Sequence, residues 1–287
     1  MYELETPPNG VSRERWHGET AGTPEVGDLW LISWNGEALA LAVLASIRDT
    51  YTLCWPVTLS DVPVFAPALE IPSTLLDVPL LVWPTRETGM GLHMLHRRLG
   101  RLLTAKTMSL IDVAVETGDV DFPFPLATYT VDGEEAERES DEMVDRWERI
   151  CLNTWPEVVP GLSPFNADAF REVNLYAGDL AGILGITVPA AVSLVRGESV
   201  PTAAQLEMVA VAIRRDPEAL LDAGSDAAAR LLVQPVFKDS LVALARIREL
   251  SEADARNLAR GEFALAARSD GDNHARLQAT IDRLREG

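Results

Sequence analysis

Six polar residues in the second half of the chain have side chains of the kind that proteins use to contact nucleic acid. They are Arg171, Thr187, Ser193, Arg196, Arg214 and Arg215. Hydroxyl and guanidinium groups hydrogen-bond to base edges, which makes Thr187, Ser193 and Arg196 candidates for base contacts. Guanidinium groups also neutralise phosphates, which makes the other three arginines candidates for backbone contacts.

These side chains need a scaffold, and residues 179–197 have the pattern of two short helices joined by a tight turn. Gly185 follows the apolar residues of the first helix directly, as a helix-ending residue does. Thr187 is suited to cap the second helix, and Gly197 can end that helix in the left-handed conformation. Proteins use this arrangement to lay the second helix into the major groove of DNA.

Helical patterns continue on both sides of this pair. Residues 166–175 form a first helix, and Pro201-Thr202 open a further one with an apolar stripe over 206–213. Asp216-Pro217 ends that helix, and residues 218–221 begin another. Five short helices of this kind can close one small core.

Residues 166–223 resemble the lambda-repressor-like, Cro-type (XRE) helix-turn-helix family. That family has a Leu-Ala-x-x-Leu-Gly-Ile-Thr run like Leu180–Thr187, and a glycine ends its recognition helix as Gly197 does. A proline, an apolar helix and an Asp-Pro pair follow, which Pro201 and Asp216-Pro217 match. The resemblance implies an all-helical DNA-binding domain, a role in transcriptional control and a homodimer, with the six polar residues at the groove and the phosphates.

One departure from the family and the local charge keep a second interpretation open. The family's apolar-Ser pair usually stands one position before Val192-Ser193. From Arg171 to Asp222 there are four arginines and seven acids, so this segment is net acidic and disfavours binding to phosphates. In the second helix, Val188, Ala190 and Ala191 could touch thymine methyl groups but cannot form hydrogen bonds with bases. The alternative is a helix-turn-helix fold reused as a protein-binding or dimerisation surface, without DNA binding.

The net charge of the whole chain is −19, which repels bulk nucleic acid and permits a basic protein partner. Residues 132–142 contain seven acids and one arginine, and they predict an acidic linker, with nucleic-acid mimicry as the alternative. No apolar run is long enough for a membrane span, and the N-terminus does not resemble a secretion signal. Cys54 and Cys151 are far apart in sequence, which predicts packing thiols in a cytoplasmic protein without a cofactor.

The N-terminal half has the pattern of a small β-barrel. The predicted strands cover Asp28–Trp34, Leu39–Ile47, Tyr51–Thr58, Val62–Glu70 and Val78–Trp83, and the first two flank an Asn35-Gly36 turn. Trp30, Trp34, Trp55 and Trp83 lie in or beside these strands and predict core packing. Gly89–Lys106 is predicted to be a helix, because Leu92, Leu95, Leu99 and Leu102 stand near helical spacing.

Residues 24–106 also resemble the MazF/PemK toxin family of small-barrel endoribonucleases. The matching motifs are Gly27-Asp28-Leu-Trp30, Ala42-Val43-Leu44, Pro56-Val57-Thr58 and Arg98-Leu-Gly-Arg-Leu102. The family cleaves RNA with an arginine beside the second strand and a Thr or Ser after the third, and Thr58 matches the latter. No arginine lies between Arg15 and Arg48. The resemblance therefore implies an inactive barrel and no enzyme, with a remnant endoribonuclease as the alternative.

His93 and His96 stand three apart, which would place both rings on one face of the predicted helix, as in a metal pair. No further ligands stand nearby in sequence, and no metal site is predicted. Arg97, Arg98 and Arg101 follow. They predict a solvated helix face, with contacts to phosphate or to the chain's own acidic segments as alternatives.

The predicted protein is an α+β multidomain regulator of the toxin–antitoxin or phage-repressor kind. A β-barrel-like N-terminal domain senses a ligand or recruits a partner, an all-α helix-turn-helix domain follows, and a helical tail ends the chain. The predicted divisions are a flexible leader (1–23), the β-rich domain (24–130), an acidic linker with a short helix (131–165), the helix-turn-helix domain (166–223) and the tail (224–287). In the tail, Leu277, Ile281 and Leu284 form a stripe that could dimerise the protein or pack within the chain.

Overall fold

In the computed structural model, the chain is a mixed α and β protein, with an antiparallel sheet in its N-terminal part followed by helices. This confirms the predicted α+β class. The structure describes residues 2–18, 22–117, 124–156, 163–222, 227–266 and 272–287. The chain divides into two compact units: unit 1 contains residues 1–155 and 233–255, and unit 2 contains residues 156–232 and 256–287. The predicted tail, 224–287, is therefore divided between the two units.

Seven antiparallel strands form the sheet of unit 1. They are β1 (Asp28–Trp34), β2 (Glu37–Ile47), β3 (Tyr51–Leu59), β4 (Leu69–Ile71), β5 (Leu80–Val82), β6 (Thr88–Gly91) and β7 (Leu95–Arg101). Their order is β4-β5-β3-β2-β1-β7, and β6 pairs with the first part of β3. Asn35 and Gly36 join β1 to β2 with φ angles of 51° and 77°, as a tight hairpin turn requires. The sheet is open, and closure into a barrel stays a prediction.

The segment predicted as a helix over 89–106 is mostly extended, and this prediction was wrong. It contains β6, a short 3₁₀ turn over Leu92–Met94 and β7, and only its last residues begin a helix. The spacing of its leucines is close to that of a helix, but its backbone pairs with β3 and with β1. Those two strands come from elsewhere in the chain, so the local pattern could not reveal them.

Both faces of the sheet are buried, because alternate residues of a strand point to opposite faces. One face carries Leu29, Leu31 and Trp55 in a single apolar cluster. Trp83 belongs to a second cluster, with Val64, Phe65, Ala68, Leu81 and Ala127. Trp30, Trp55 and Trp83 are at most 1% exposed, which confirms their predicted place in the core, whereas Trp34 is half-buried.

The helices of the described residues are α1 (Arg13–His17), α2 (Ala105–Thr117), α3 (Gly133–Cys151), α4 (Ala167–Glu172), α5 (Ala177–Leu184), α6 (Val188–Val195), α7 (Ala203–Ile213), α8 (Ala227–Leu232), α9 (Lys238–Arg248), α10 (Glu252–Ala266) and α11 (Asn273–Glu286). Helices α1, α2, α3 and α9 belong to unit 1, and the boundary between the units falls inside α10. Within the described ranges, no single helix is long and apolar enough to cross a membrane. Only α5 and α6, a bent pair, meet that criterion when added together.

Part of the segment predicted as a flexible leader packs on the core of unit 1. Trp16 of α1 is fully buried, and its indole N–H donates to the Glu3 carbonyl at 2.9 Å. Its ring lies 5.9 Å from that of Tyr2. Burial of the large apolar side chain of Trp16 is enough to hold this short helix in place, which is why the prediction of a flexible leader fails here. Met1 and residues 19–21 lie outside the described residues.

The acidic segment 132–142, predicted as an irregular linker, forms the first half of α3. A helix can carry many acids when they lie on its exposed face and its other face is apolar. Here Trp147 and Ile150 supply the buried face. The short helix predicted within 131–165 is therefore part of a longer helix that includes the acidic segment.

In unit 2, helices α4 to α7 share one apolar core. Its central residues are Phe165, Phe170, Leu180, Leu194, Leu206 and Val209. Asn166 caps α4 by accepting from Asp168 N and Ala169 N, and Thr202 caps α7 in a capping box with Gln205. The local start signals of these helices lie where the sequence predicts them.

The predicted tail is helical, and its last helix buries two of the three residues of the predicted stripe. α11 buries Leu277 and Ile281, and Arg276 lies over the Phe263 ring of α10 at 5.3 Å. The apolar stripe of α11 is therefore covered within the chain. In α9 the buried stripe follows Leu241, Leu244 and Ala245, and Ile247 is 53% exposed.

Candidate nucleic-acid interface

Helices α5 and α6 begin and end close to where the sequence predicts. α5 ends at Gly185, whose φ of 63° and ψ of 33° lie in the left-handed region. Thr187 caps α6, its hydroxyl accepting a hydrogen bond from Ala190 N at 3.4 Å. The two helices are bent by 114° from each other, within the range of about 90–120° that helix-turn-helix units show.

The first turn of α6 is its exposed part. Thr187, Pro189 and Ala190 are exposed, and Val188 is 53% exposed. Ala191 is fully buried, so the predicted methyl contact from this residue is wrong. It lies on the inward face, three residues before Leu194, which is buried too. The surface that α6 offers to a partner therefore begins with one hydroxyl and three apolar side chains.

The other two predicted base contacts are less favourably placed. Ser193 is half-buried, and its carbonyl accepts hydrogen bonds from Glu198 N and Ser199 N in the turn after α6. Arg196 lies at the end of α6, with its side chain 69% exposed and its Nη1 3.8 Å from a carboxylate oxygen of Glu198. Among these residues, Arg196 has the longest reach beyond the helix surface.

The predicted phosphate contacts all lie at the surface of unit 2, and two of them face carboxylates. Arg171 pairs with Asp168, and Arg215 lies 3.5 Å from Glu172. Arg214 ends α7 in the left-handed conformation and is exposed. Within the described ranges, no ion pair involves Arg214.

These surface ion pairs do not fix the arginines. The side chains of Arg171, Arg196 and Arg215 are 49% to 78% exposed, and exposed pairs contribute about 0.2–1 kcal/mol. A phosphate could therefore replace the carboxylate at modest cost. The same carboxylates nevertheless reduce the positive potential around these arginines.

A second concentration of polar groups lies inside unit 1, and we call it the β1–α9 cluster (Ser33, His96, Lys238, Asp239 and Glu252). Lys238 Nζ donates to Glu252 Oε1 at 2.6 Å, to the Ser33 carbonyl at 2.9 Å and to the His93 carbonyl at 3.0 Å. The carboxylate also accepts from the Asn35 backbone N–H at 3.2 Å. The hairpin turn and the starts of α9 and α10 are thereby joined.

In the same cluster, His96 bridges Ser33 and Asp239. Its Nδ1 lies 2.7 Å from Ser33 Oγ, and its Nε2 lies 2.9 Å from Asp239 Oδ1. A neutral ring that accepts from Ser33 and donates to Asp239 satisfies both contacts. Burial lowers the pKa of His96, and the hydrogen bond to Asp239 only partly opposes this effect.

This Ser–His–Asp contact has the residue types of a nucleophilic triad, but Ser33 is fully buried. A nucleophile must reach its substrate, so the arrangement serves packing rather than acyl transfer. Sequence reasoning missed the cluster because its members come from distant parts of the chain. Lys238 is one of only two lysines, a signal that does not identify its partners.

The histidine pair considered as metal ligands lies on a 3₁₀ turn and on β7, not on a helix. His93 lies edge-on to Trp34 at 4.9 Å, and its Nε2 is 2.8 Å from the Asn153 carbonyl. His96 is held by Ser33 and Asp239. In the part of the chain that the structure describes, no group of three or more His, Cys, Asp or Glu could hold a metal ion.

The basic run after these histidines contacts the chain's own acids, the alternative that the sequence left open. Arg98 donates from Nε and Nη2 to the two carboxylate oxygens of Asp28, which is fully buried. Arg101 pairs with Glu25 and lies 3.6 Å from Asp28, and Arg97 donates to Glu5 at 3.0 Å. The prediction of a solvated helix face was wrong, because the segment is a strand packed against acidic neighbours.

Thr58, the residue that matches the endoribonuclease motif, does not face an open site. Its Oγ1 is buried and has no hydrogen-bond partner among the described residues. Thr58 as a whole is half-buried, so only its hydroxyl oxygen is withdrawn from the surface.

A comparison with protein-family models found no matching family, and a comparison with curated proteins found no significant match.

Proposed function

We propose that the protein binds DNA through α5 and α6 and acts as a transcriptional regulator. The observation that carries the proposal is the first turn of α6, which is capped by Thr187, exposed, and set at 114° to α5. In helix-turn-helix proteins the N-terminal residues of the second helix contact base edges. The likeness of residues 166–223 to the Cro-type family supports the same reading.

In this proposal, Thr187 and the apolar turn that follows it approach the major groove, with Ser193 behind them. Arg196 reaches a base edge or a phosphate, and Arg171, Arg214 and Arg215 contact the backbone. The unit is acidic, so one copy binds weakly. A homodimer doubles the number of contacts and supplies the missing affinity.

Unit 1 then serves as the sensor or partner-binding part, as the sequence predicts. It contains a cleft of about 280 Å³ between β6 and α3, lined by Arg86 and Glu87 on one side and by Met143, Val144 and Trp147 on the other. This volume is near the lower limit of about 300 Å³ for small-molecule sites. The likeness to the MazF/PemK barrel rests on the sequence motifs of residues 24–106. The buried hydroxyl oxygen of Thr58 favours an inactive barrel.

A second candidate function is protein binding without DNA, and the surface of unit 2 gives a specific reason for it. Arg171, Arg196 and Arg215 all face carboxylates. Several large apolar residues of the same unit are exposed, among them Tyr176 by 69% and Val211 by 75%. Apolar surface of this kind, with few available cations, suits a protein partner.

Selection of bound duplexes from a random DNA pool at low salt separates the two candidates. The first predicts recovery of a sequence, and Arg196→Ala then weakens its binding by about 5- to 150-fold, the cost of a lost base contact. Arg138→Ala is the matched control, because Arg138 is also exposed and paired with glutamates but lies in α3 of unit 1. Failure to enrich any sequence, or equal effects of both substitutions, would contradict DNA binding.

A further inference from the structure

The fold brings the two cysteines of the chain to the same residue. Cys54 of β3 is the direct partner of Thr88 in β6, and its Sγ lies 3.6 Å from the Thr88 carbonyl oxygen. Cys151, the last residue of α3, places its Sγ 3.2 Å from the Thr88 hydroxyl. In sequence, 96 residues separate the two thiols, and this distance predicts unrelated packing residues.

Both thiols lie on one face of the sheet. Directly paired residues of neighbouring antiparallel strands carry their side chains on the same face. Since the Thr88 hydroxyl contacts Cys151, this is the face that the end of α3 covers, and Cys54 points towards it. Electrostatics agree with this placement: burial is the largest cause of the raised pKa of Cys54, and the Cys151 thiol is the next.

We propose that Cys54 and Cys151 form a redox pair, which a small-molecule disulfide oxidises to an intramolecular disulfide that fixes the end of α3 to β3. The pair is asymmetric, as attacking and resolving cysteines are. Cys151 is half-buried and reachable from solvent, whereas Cys54 is fully buried. Attack therefore begins at Cys151.

Glutathione disulfide illustrates the chemistry. The Cys151 thiolate attacks one glutathione sulfur, the S–S bond breaks, and a glutathione thiolate leaves. Cys54 then loses its proton and attacks the Cys151 sulfur of the mixed disulfide, which expels the second glutathione as a thiolate. The two leaving thiolates take up the two protons that the protein thiols lose. Two protein thiols are thus oxidised, and one glutathione disulfide is reduced to two glutathiones.

The second step is the slow one. The thiolate is the attacking species, and burial raises the pKa of Cys54 above its usual value. The rate of closure therefore increases with pH through the neutral and alkaline range.

The test uses the full-length reduced protein and glutathione disulfide under native conditions. The reaction is stopped with acid, the protein is denatured, and thiols that remain are labelled with N-ethylmaleimide before intact-mass measurement. The expected product has lost two hydrogens, carries no label and yields a linked peptide pair containing Cys54 and Cys151. Cys54→Ala should stop as a glutathione adduct on Cys151, and Cys151→Ala should leave Cys54 reduced.

Three results would overturn the proposal. The first is a stable glutathione adduct on Cys151 in the wild-type protein with Cys54 still labelled. The second is recovery of both thiols in labelled form, and the third is a disulfide that joins two copies of the chain.

A denaturation experiment adds an independent criterion. The oxidised wild-type protein should unfold at a higher urea concentration than the reduced protein, because the bond closes a long loop of the unfolded chain. A lower urea midpoint would mean that the bond forms only by distorting unit 1, which contradicts a pair built into the fold.

Discussion

Lys238 and Glu252 form an ion pair with 2.6 Å between Nζ and Oε1, and their side chains are only 1% and 0% exposed. Removing two charges from water costs several kcal/mol per ion unless hydrogen bonds complete the site. Here the ammonium also donates to the backbone carbonyls of Ser33 and His93. The pair therefore joins the second part of unit 1, residues 233–255, to the sheet built from the first.

Loss of one member of this pair should destabilise the protein strongly. We expect Lys238→Met to lower the free energy of unfolding by about 3–5 kcal/mol, because it removes the buried ammonium that lies 2.6 Å from the Glu252 carboxylate. The double substitution Lys238→Met with Glu252→Leu should recover part of that loss, because it removes both charges but also the ammonium donor to the Ser33 and His93 carbonyls. Urea denaturation measures all three proteins. Arg138→Ala, which breaks exposed pairs in α3, is the control and should cost no more than about 1 kcal/mol. A loss no larger than the control's would contradict this role of the pair.

The same relationship predicts that residues 1–155 do not fold stably alone. Without residues 233–255, the carbonyls of Ser33 and His93 lose their buried donor, and His96 loses Asp239. We expect a fragment of residues 1–155 to aggregate or to unfold at a much lower urea concentration than the full chain. Circular dichroism during urea titration checks this expectation. A fragment with the urea midpoint of the full chain would show that the second segment is dispensable.

The lowered pKa of His96 predicts a loss of stability in mild acid. Its folded-state pKa lies below the unfolded value of about 6.5, so the unfolded chain takes up this proton first. Stability is unaffected by this group above about pH 6.5 and falls as the pH decreases towards the folded-state pKa. Urea midpoints measured from pH 8 to pH 5 should show the decrease.

Replacing His96 by Asn should remove its part of that pH dependence. His274→Asn is the control, because His274 is exposed on α11, and it should leave the decrease in place. If both variants lose stability with decreasing pH as the wild-type protein does, the proton responsible binds to a group other than His96.

The turn between α5 and α6 offers a matched pair of glycines. Gly182 lies inside α5 and Gly185 ends it with a φ of 63°, and a Cβ added at either position would meet nothing within 4 Å. Only backbone conformation distinguishes them. Gly185→Ala should therefore destabilise the protein by about 1 kcal/mol, whereas Gly182→Ala should stabilise it by up to about 1 kcal/mol. Thermal unfolding measures both, and equal signs would contradict the left-handed helix end.

Local signals predicted those parts of the fold that local chemistry decides. Asn35-Gly36 predicted the hairpin, and Thr187 and Gly185 predicted the ends of α6 and α5, because each acts on its immediate neighbours. The segment 89–106 failed for the opposite reason. Its leucine spacing is compatible with a helix, and its pairing with β1 and β3 depends on residues far away in the chain.

The candidate sites divide in the same way. The surface of α6 could be described from the sequence because helical periodicity separates exposed from buried residues, although Ala191 was placed on the wrong side. The β1–α9 cluster could not, because Lys238 has its carbonyl partners 205 and 145 positions away. The sequence does not indicate that Cys54 and Cys151 lie near Thr88. Cys54 comes next to Thr88 only because β3 pairs with β6.

The salt dependence of DNA affinity tests the central claim most directly. For a duplex recovered by selection, the logarithm of the binding constant should fall linearly with the logarithm of salt concentration, by about 0.9 for each phosphate contact. Replacing Arg171, Arg214 and Arg215 together by Ala should reduce that slope by about 2–3. An unchanged slope in the triple variant, or binding that does not depend on salt, would contradict a DNA-binding surface on α5 and α6.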